Sequence, residues 1–267
     1  MCEIVGMSRQ NYYKKRKTRS RRAIDEECIL ELVRQQRSLQ SRLGGRKLFY
    51  LLREELSLAG ISIGRDRFFE FLGRRDLLIE KKARRARTTD SRHGFEVYGN
   101  LLKDVVLTGP NQAYVSDITY IRTREGFAYL ALVMDAYSRA IVGYDCSDSL
   151  ESQGTLRALS MALKQLPFGK GVIHHSDRGC QYCSGDYTRK LKSGGHRISM
   201  TEDNHCYENA QAERLNGILK EEYGLGECFL SKSDAYRSVR EAIVLYNYLR
   251  PHQSLGYRCP MEVHEAA

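Results

Sequence analysis

No stretch of about 18 consecutive apolar residues occurs in the chain, so no membrane-spanning helix is expected. The opening residues, MCEIVGMSRQNYYKKRK, lack the apolar core of a secretory signal. The eight cysteines are scattered rather than set at framework spacings, which argues against a disulfide-stapled secreted domain. Together these absences point to a cytoplasmic chain whose thiols are reduced. No internal repeat is found, which excludes solenoid and propeller architectures. What remains is a globular chain of one or two domains, long enough at 267 residues to bury a real core.

Basic residues, by contrast, are sparse in all but one third of the chain. Residues 1–92 hold 24 Lys and Arg against 12 Asp and Glu, whereas residues 93–267 hold 19 against 21. The whole net charge of +10 therefore originates in the first third. A basic segment joined to a near-neutral one is the electrostatic footprint of a nucleic-acid-binding module attached to something else.

The basic part reads as helical. Residues 1–17 look like the end of a helix-turn-helix, with Gly6 at the turn and Ser8 as N-cap of a helix carrying Tyr12, Tyr13, Lys14 and Lys15. Further helices are expected at about 24–37, 46–58 and 65–75, with Leu48, Leu51, Leu52 and Leu56 at helical spacing. Arg65, Arg67, Arg74 and Arg75 are candidates for phosphate contacts. Residues 81–95, KKARRARTTDSRHGF, carry no apolar periodicity. They read as a basic linker whose Arg84 and Arg85 could lie along a nucleic-acid backbone.

Composition then changes. Strands are expected at 112–121, 128–136 and 140–145, the last two joined as a hairpin through Tyr137–Arg139. A helix with Leu156, Leu159, Leu163 and Leu166 on one stripe follows, opened by a capping box of Asp148 and Glu151. A strand at 171–176, a helix at 184–193, a short strand at 197–201 and helices at 207–222 and 232–248 complete the order. The fold class is α/β, a mixed β-sheet flanked by helices, preceded by a small all-α helix-turn-helix region.

Three carboxylates stand out by placement. Asp117 lies inside a strand, where an acid is disfavoured. Asp177 lies just past a strand end, where ligands bind in open α/β sheets. Glu213 lies on a helix whose Asn209, Glu213, Asn216 and Lys220 share one polar face. Such acids suit magnesium, or manganese in its place, and two ions held this way support in-line phosphoryl transfer. Lys220 could then hold a DNA phosphate. The same neighbourhood contains a Cys180-x-x-Cys183 pair. A zinc site there would need two further ligands, for which His196, His205 and Cys206 are candidates. His174 and His175 read as strand-end residues, one packed and His175 near DNA.

The segments VSDITYI, HSDRGCQY, CYENAQAERLNGILKEE and YNYLRPHQSLGY resemble the signatures of the insertion sequence three family of bacterial transposases, specifically its second-reading-frame product. The resemblance covers nearly the whole chain. It implies a ribonuclease H-like integrase core over 96–260, a basic DNA-binding region over 1–80 joined by the linker 81–95, and a D-D-35-E triad. The 35 residues between Asp177 and Glu213 fit that spacing. Carried over, the triad is Asp117, Asp177 and Glu213 as catalytic metal ligands, with Lys220 matching the family's lysine. Asn209, His175 and the named arginines are the expected DNA contacts. The family commonly has tryptophan where Tyr114 stands, and this chain has no tryptophan at all.

The resemblance further implies cleavage at element ends followed by 3′-hydroxyl strand transfer. Implied partners are DNA terminal inverted repeats, target DNA and further copies of the chain. A frameshift fusion to an upstream helix-turn-helix protein is also implied, and the apparent start inside a motif agrees with it. A bacterial cytoplasm, with nucleoid association, follows. Two rivals are a nuclease that cuts without joining and a DNA-binding protein without catalysis.

Overall fold

The computed structural model describes residues 8–80, 94–167, 169–202 and 209–266. The chain divides into two compact units, Met1–Lys81 and Lys82–Ala267.

The first unit is helical, with α1 (Arg9–Leu39), α2 (Gly45–Leu58) and α3 (Arg65–Arg74). The Ser8 side chain caps α1 by accepting from the Asn11 N–H at 3.3 Å. The expected break between a first short helix and one at 24–37 is absent, because α1 runs unbroken for 31 residues. Its first half shows no apolar stripe. Periodicity reports which face is buried, and a helix that buries nothing has none to show. The unit's core is made where α1 ends and α2 and α3 fold back. Leu48, Leu52 and Leu56 of α2 meet Ile29, Leu30 and Val33 of α1 and Phe68, Phe71 and Leu72 of α3. Burying each of these side chains contributes about 1.5–3 kcal/mol. The expected turn at Gly6 lies outside the described residues.

The second unit is built on a mixed sheet in the order β3-β2-β1-β4-β5. Its strands are β1 (Ala113–Thr123), β2 (Gly126–Asp135), β3 (Ile141–Ser147), β4 (Ile173–Ser176) and β5 (Arg197–Met200). A two-residue strand β6 (Cys228–Phe229), too short to leave a sequence pattern, pairs with β1 beyond this path. β1, β2 and β3 pair antiparallel, whereas β4 pairs parallel to β1 and β5 parallel to β4. The hairpin between β2 and β3 is organised by Asp135. Its carboxylate accepts from the Tyr137 and Ser138 N–H groups and the Ser138 hydroxyl, and from the Asn111 N–H at 2.6 Å.

Helices cover both faces of this sheet. On one face α4 (Ser152–Leu163) lays Ala158 and Ala162 against Tyr114, Val133 and Val142. Gly143 makes that approach possible, since a Cβ there would meet the Ala158 carbonyl oxygen at 2.2 Å. On the other face α7 (Ala210–Glu222) and α8 (Lys232–Tyr248) pack on Val115, Ile121 and Leu132. Short helices α5 (Cys180–Cys183) and α6 (Gly185–Ser193) follow β4, and α9 (Pro260–Glu265) closes the described chain. The expected capping box at α4 is not formed. Glu151 occupies the N-cap without a side-chain bond, and Asp148 instead pairs with Lys232 and Tyr236 of α8. Tertiary partners on α8 outcompete the local cap.

Candidate active site

Register brings the first two acids together. β4 pairs parallel to β1 with Ser116 opposite Ser176. The next residue on each chain is an aspartate, so Asp117 and Asp177 emerge side by side, where adjacent strands lie about 4.8 Å apart. β4 ends at this point, while β1 continues to Thr123. Asp177 therefore stands at the carboxyl end of a sheet strand, in the crevice where open sheets bind ligands.

α7 supplies the third acid. It packs through Ala212, Leu215 and Leu219 against the sheet face that carries Val115 and Ile121. Asp117 alternates onto that same face. Glu213 lies in the first turn of α7, exposed. Two asparagines tie this helix to β1. Asn216 donates to Asp117 Oδ2 at 2.7 Å, and Asn209, the N-cap, donates to the Ser116 carbonyl at 3.2 Å. Both are buried, and among the described residues both amide oxygens lack a hydrogen-bond partner.

Asp117 is the electrostatic centre of the arrangement. Burial pushes its carboxyl up to about 7, and repulsion from Asp177 and, more weakly, Glu213 adds to the effect. Hydrogen bonds from the Ile118 N–H at 2.9 Å and from Asn216 act against this rise without cancelling it. Three acids on two strands and a helix thus sense one another through a partly desolvated space.

The loop after β4 is shaped around Asp177. Its Oδ1 accepts from the Gly179 N–H at 3.0 Å, and a Cβ on Gly179 would press on that oxygen at 3.1 Å. Glycine at this position leaves room for the carboxylate. The loop then enters α5, which places Tyr182 in the core beneath the acids, edge-on to Tyr187 at 5.4 Å. Its hydroxyl is buried without a partner among the described residues. Burial, Tyr187 and then the two aspartates raise its pKa well above the ordinary tyrosine value. Sequence reasoning did not single out Asn216 as a site residue or Tyr182 at all. Asn216 was visible on the polar face of α7, and only register shows what it touches.

Other expected site residues fall elsewhere. His175 is fully buried, its Nδ1 2.8 Å from the Ser199 hydroxyl, so it is not presented to DNA. β4 is flanked by β1 and β5, and an inner parallel strand is covered on both faces. His174 is buried too, between the Ser116 and Tyr187 hydroxyls at 2.8 and 2.9 Å. Burial holds its pKa down at about 3, with His175 and His196 adding to the effect. Asn209 donates to backbone from a buried position rather than facing solvent. Lys220 is half-buried on α7. In α3, Arg65 pairs with Asp66 and Arg74 with Glu26, each at 2.9 Å, while Arg75 lies over the Phe71 ring at 5.8 Å and Arg67 is exposed. Arg84 and Arg85 lie outside the described residues, as do His205 and Cys206. Of the zinc alternative, Cys183 is buried against the Met200 sulfur at 3.7 Å while Cys180 is exposed, so the pair does not converge on one ligand position.

Two integrase core domain families match the chain, over residues 108–206 and 194–260. The chain is 36% identical over 269 residues to the insertion element IS600 uncharacterized 31 kDa protein of Shigella sonnei, covering 99% of this chain and 97% of that protein. It is 34% identical over 266 residues to the transposase InsF for insertion sequence IS3A of Escherichia coli strain K12, covering 97% and 91%. The chain belongs to the IS3 family of insertion-sequence transposases. As a member of that family it is a DDE-type polynucleotidyl transferase, which cleaves DNA strands and transfers them, and such enzymes use divalent metal. The simian T-cell lymphotropic virus intasome, solved in complex with PP2A regulatory subunit B56 gamma, contains a chain of the same fold. That chain is 17% identical, with a TM-score of 0.51 over 84% of this transposase and 75% of its own length. The sheet with helices on both faces is thus ribonuclease H-like. No helix among the described residues of this transposase is long and apolar enough to cross a membrane.

Proposed function

We propose that Asp117, Asp177 and Glu213 are the catalytic carboxylates of this transposase and that they hold magnesium, with manganese able to replace it. The observation that carries this reading is the pairing of Ser116 with Ser176, which sets Asp117 beside Asp177 under the helix that bears Glu213.

The residues fit a hard divalent cation. Every side chain offered is an oxygen donor, which suits magnesium and not zinc. Asp117 is lifted to about 7 by burial and by the other two acids, a repulsion that bound positive charge relieves. Among the described residues no group of three or more His, Cys, Asp and Glu is placed to hold a metal ion, so the three acids would have to draw closer on binding. Bound metal would activate the attacking oxygen and stabilise the leaving one.

The chain's own groups do the rest. Asn216 fixes the orientation of the Asp117 carboxylate through its 2.7 Å bond. The Gly179 N–H fixes Asp177 in the same way. Lys220, two turns beyond Glu213 on α7, supplies a positive charge for the DNA phosphate that the acids would otherwise repel. The substrate is DNA. The finer reading is hydrolysis at the terminal inverted repeats and attack of the freed 3′-hydroxyl on target DNA. It includes a homomultimer on DNA, a frameshift fusion to an upstream-frame helix-turn-helix protein, and a place in the bacterial cytoplasm at the nucleoid. The support for these finer points is the family.

The test uses a labelled duplex carrying the terminal repeat of the element that encodes the chain, incubated with magnesium, manganese or chelator. Metal-dependent nicking and joined product are expected, and Glu213→Gln should abolish both. Nicking without joined product would reduce the activity to a nuclease. Equal cleavage by the variant would overturn the assignment.

A further inference from the structure

The first four turns of α1 are unlike any other part of the described chain. From Arg9 to Arg22 there are eight Lys and Arg and no Asp or Glu. Every residue from 8 to 24 is exposed, and the buried residues of α1 are Ile29, Leu30 and Val33, all in its second half. Among the described residues, only Arg22 of the eight cations reaches an acid, Glu26 at 3.2 Å.

We propose that this half-helix is the duplex-binding element of the first unit, a cationic rod that enters a groove of DNA. The proposal rests on the reading of the chain as a DNA transposase and goes further by naming the surface. Three features select this partner. At 100° per residue, Arg9 and Arg16 share one direction while Lys14, Lys15 and Lys17 point in three others, so the cations surround the axis. A helix that lies on a membrane needs an apolar face, and this one has none. A flat anionic surface would call for a one-sided stripe. A DNA groove presents phosphates on both walls, and the major groove, about 12 Å wide, admits an α-helix. Fourteen residues rise about 21 Å, which spans roughly six base pairs at 3.4 Å each.

Like charges also recur at i, i+4, as with Lys15 and Arg19 or Lys17 and Arg21. Such pairs weaken a helix in water, and neighbouring phosphates relieve the repulsion. In α3, by contrast, Arg65 and Arg74 are already neutralised by Asp66 and Glu26. α1 therefore holds more cations free to release counterions than α3 does.

The experiment measures binding of the full chain to a labelled random-sequence duplex by fluorescence anisotropy, from about 50 to 200 mM salt. The variant Lys14→Gln, Lys15→Gln, Arg16→Gln, Lys17→Gln removes four charges. The slope of log affinity against log salt should become shallower by about 3 to 4. Arg65→Gln with Arg74→Gln should change the slope by less than about 1. Replacing Lys14, Lys15 and Lys17 by arginine should keep the wild-type slope. That charge-preserving set, with circular dichroism of each preparation, separates lost charge from lost helix. An unchanged slope in the glutamine variant, or an equal change in the α3 variant, overturns the proposal. So does equally tight binding to phosphatidylserine vesicles at the same salt. The same preparations are assayed for metal-dependent nicking. Nicking by the wild type with an unchanged slope defeats this inference alone, while absence of nicking both in the wild type and in its fusion to the upstream-frame protein defeats the transposase reading itself.

Discussion

The chain concentrates like charge twice, by opposite means. In the first half of α1 eight cations stand in water with no acid among them and nothing buried beneath them. At the end of β4 three acids are drawn together over a packed sheet, and the innermost, Asp117, is lifted to about 7. Charge left in water costs little to assemble and releases counterions when it meets a polyanion. Charge gathered out of water costs stability and is kept where chemistry needs it. A second buried acid sharpens the contrast. Asp135 is fully buried two strands from Asp177, yet four N–H and O–H donors surround it. Asp135 builds a turn, whereas Asp117 sits against the repulsion of Asp177 and Glu213.

The largest expected effect follows from removing any one of the gathered acids. Asp117→Asn, Asp177→Asn or Glu213→Gln should each lower single-turnover cleavage by about 10³-fold or more, roughly 4 kcal/mol of transition-state stabilisation. Duplex affinity of the same variants should be unchanged or higher, because an acid beside phosphates is lost. A variant that loses binding and cleavage in parallel would place that residue in folding rather than chemistry.

Next in size is a stability effect of opposite sign. Asp117 binds its proton more tightly folded, at about 7, than unfolded, near the ordinary 3.8. Its contribution to stability is therefore full below pH 4 and is lost as pH rises through 7. In chelator at pH 8, Asp117→Asn should be more stable than wild type by roughly 2–4 kcal/mol. Asp135→Asn should instead destabilise by roughly 1.5–3 kcal/mol, since its donors lose a charged acceptor. Divalent metal should restore stability to the wild type and not to Asp117→Asn. Denaturant melts at pH 5 and pH 8, with and without metal, check all three signs.

Much of this site was legible in the sequence, because an aspartate in a β-branched strand and one just past an apolar run break the local pattern. The strands and closing helices followed from periodicity for the same reason. What escaped was set by contacts between distant segments. Asn216 lies 99 residues from the Asp117 carboxylate it holds. Asp148, expected to cap α4, is drawn to Lys232 and Tyr236. His175 ended up between two strands rather than near DNA, because β4 is inside the sheet and not at its edge. The continuity of α1 was hidden differently: an exposed helix leaves no apolar period to read.

Asn216 gives a smaller test. Asn216→Leu keeps the volume and removes the 2.7 Å bond to Asp117. One hydrogen bond to a charged group is worth about 1.5–3 kcal/mol, so cleavage at saturating metal should fall about 10- to 100-fold. The metal concentration for half-maximal rate should rise as well, because an unheld carboxylate must be ordered on binding. A loss of rate with an unchanged metal requirement would mean that Asn216 acts on the substrate and not through Asp117.

The smallest effect is expected where cations are already paired. Glu26 joins Arg74 of α3 and Arg22 of α1 on one carboxylate. Exposed pairs of this kind contribute at most about 1 kcal/mol, so Glu26→Gln should barely move the melting temperature. It should, however, release two guanidinium groups from their acid. If counterion release governs DNA affinity, that variant binds duplex slightly more tightly and with a steeper salt dependence, by less than about 2 in slope. Removing charge from α1 and freeing charge at Glu26 then move the same slope in opposite directions. A Glu26→Gln chain that binds more weakly would show that this carboxylate positions α1 for DNA rather than competing with it.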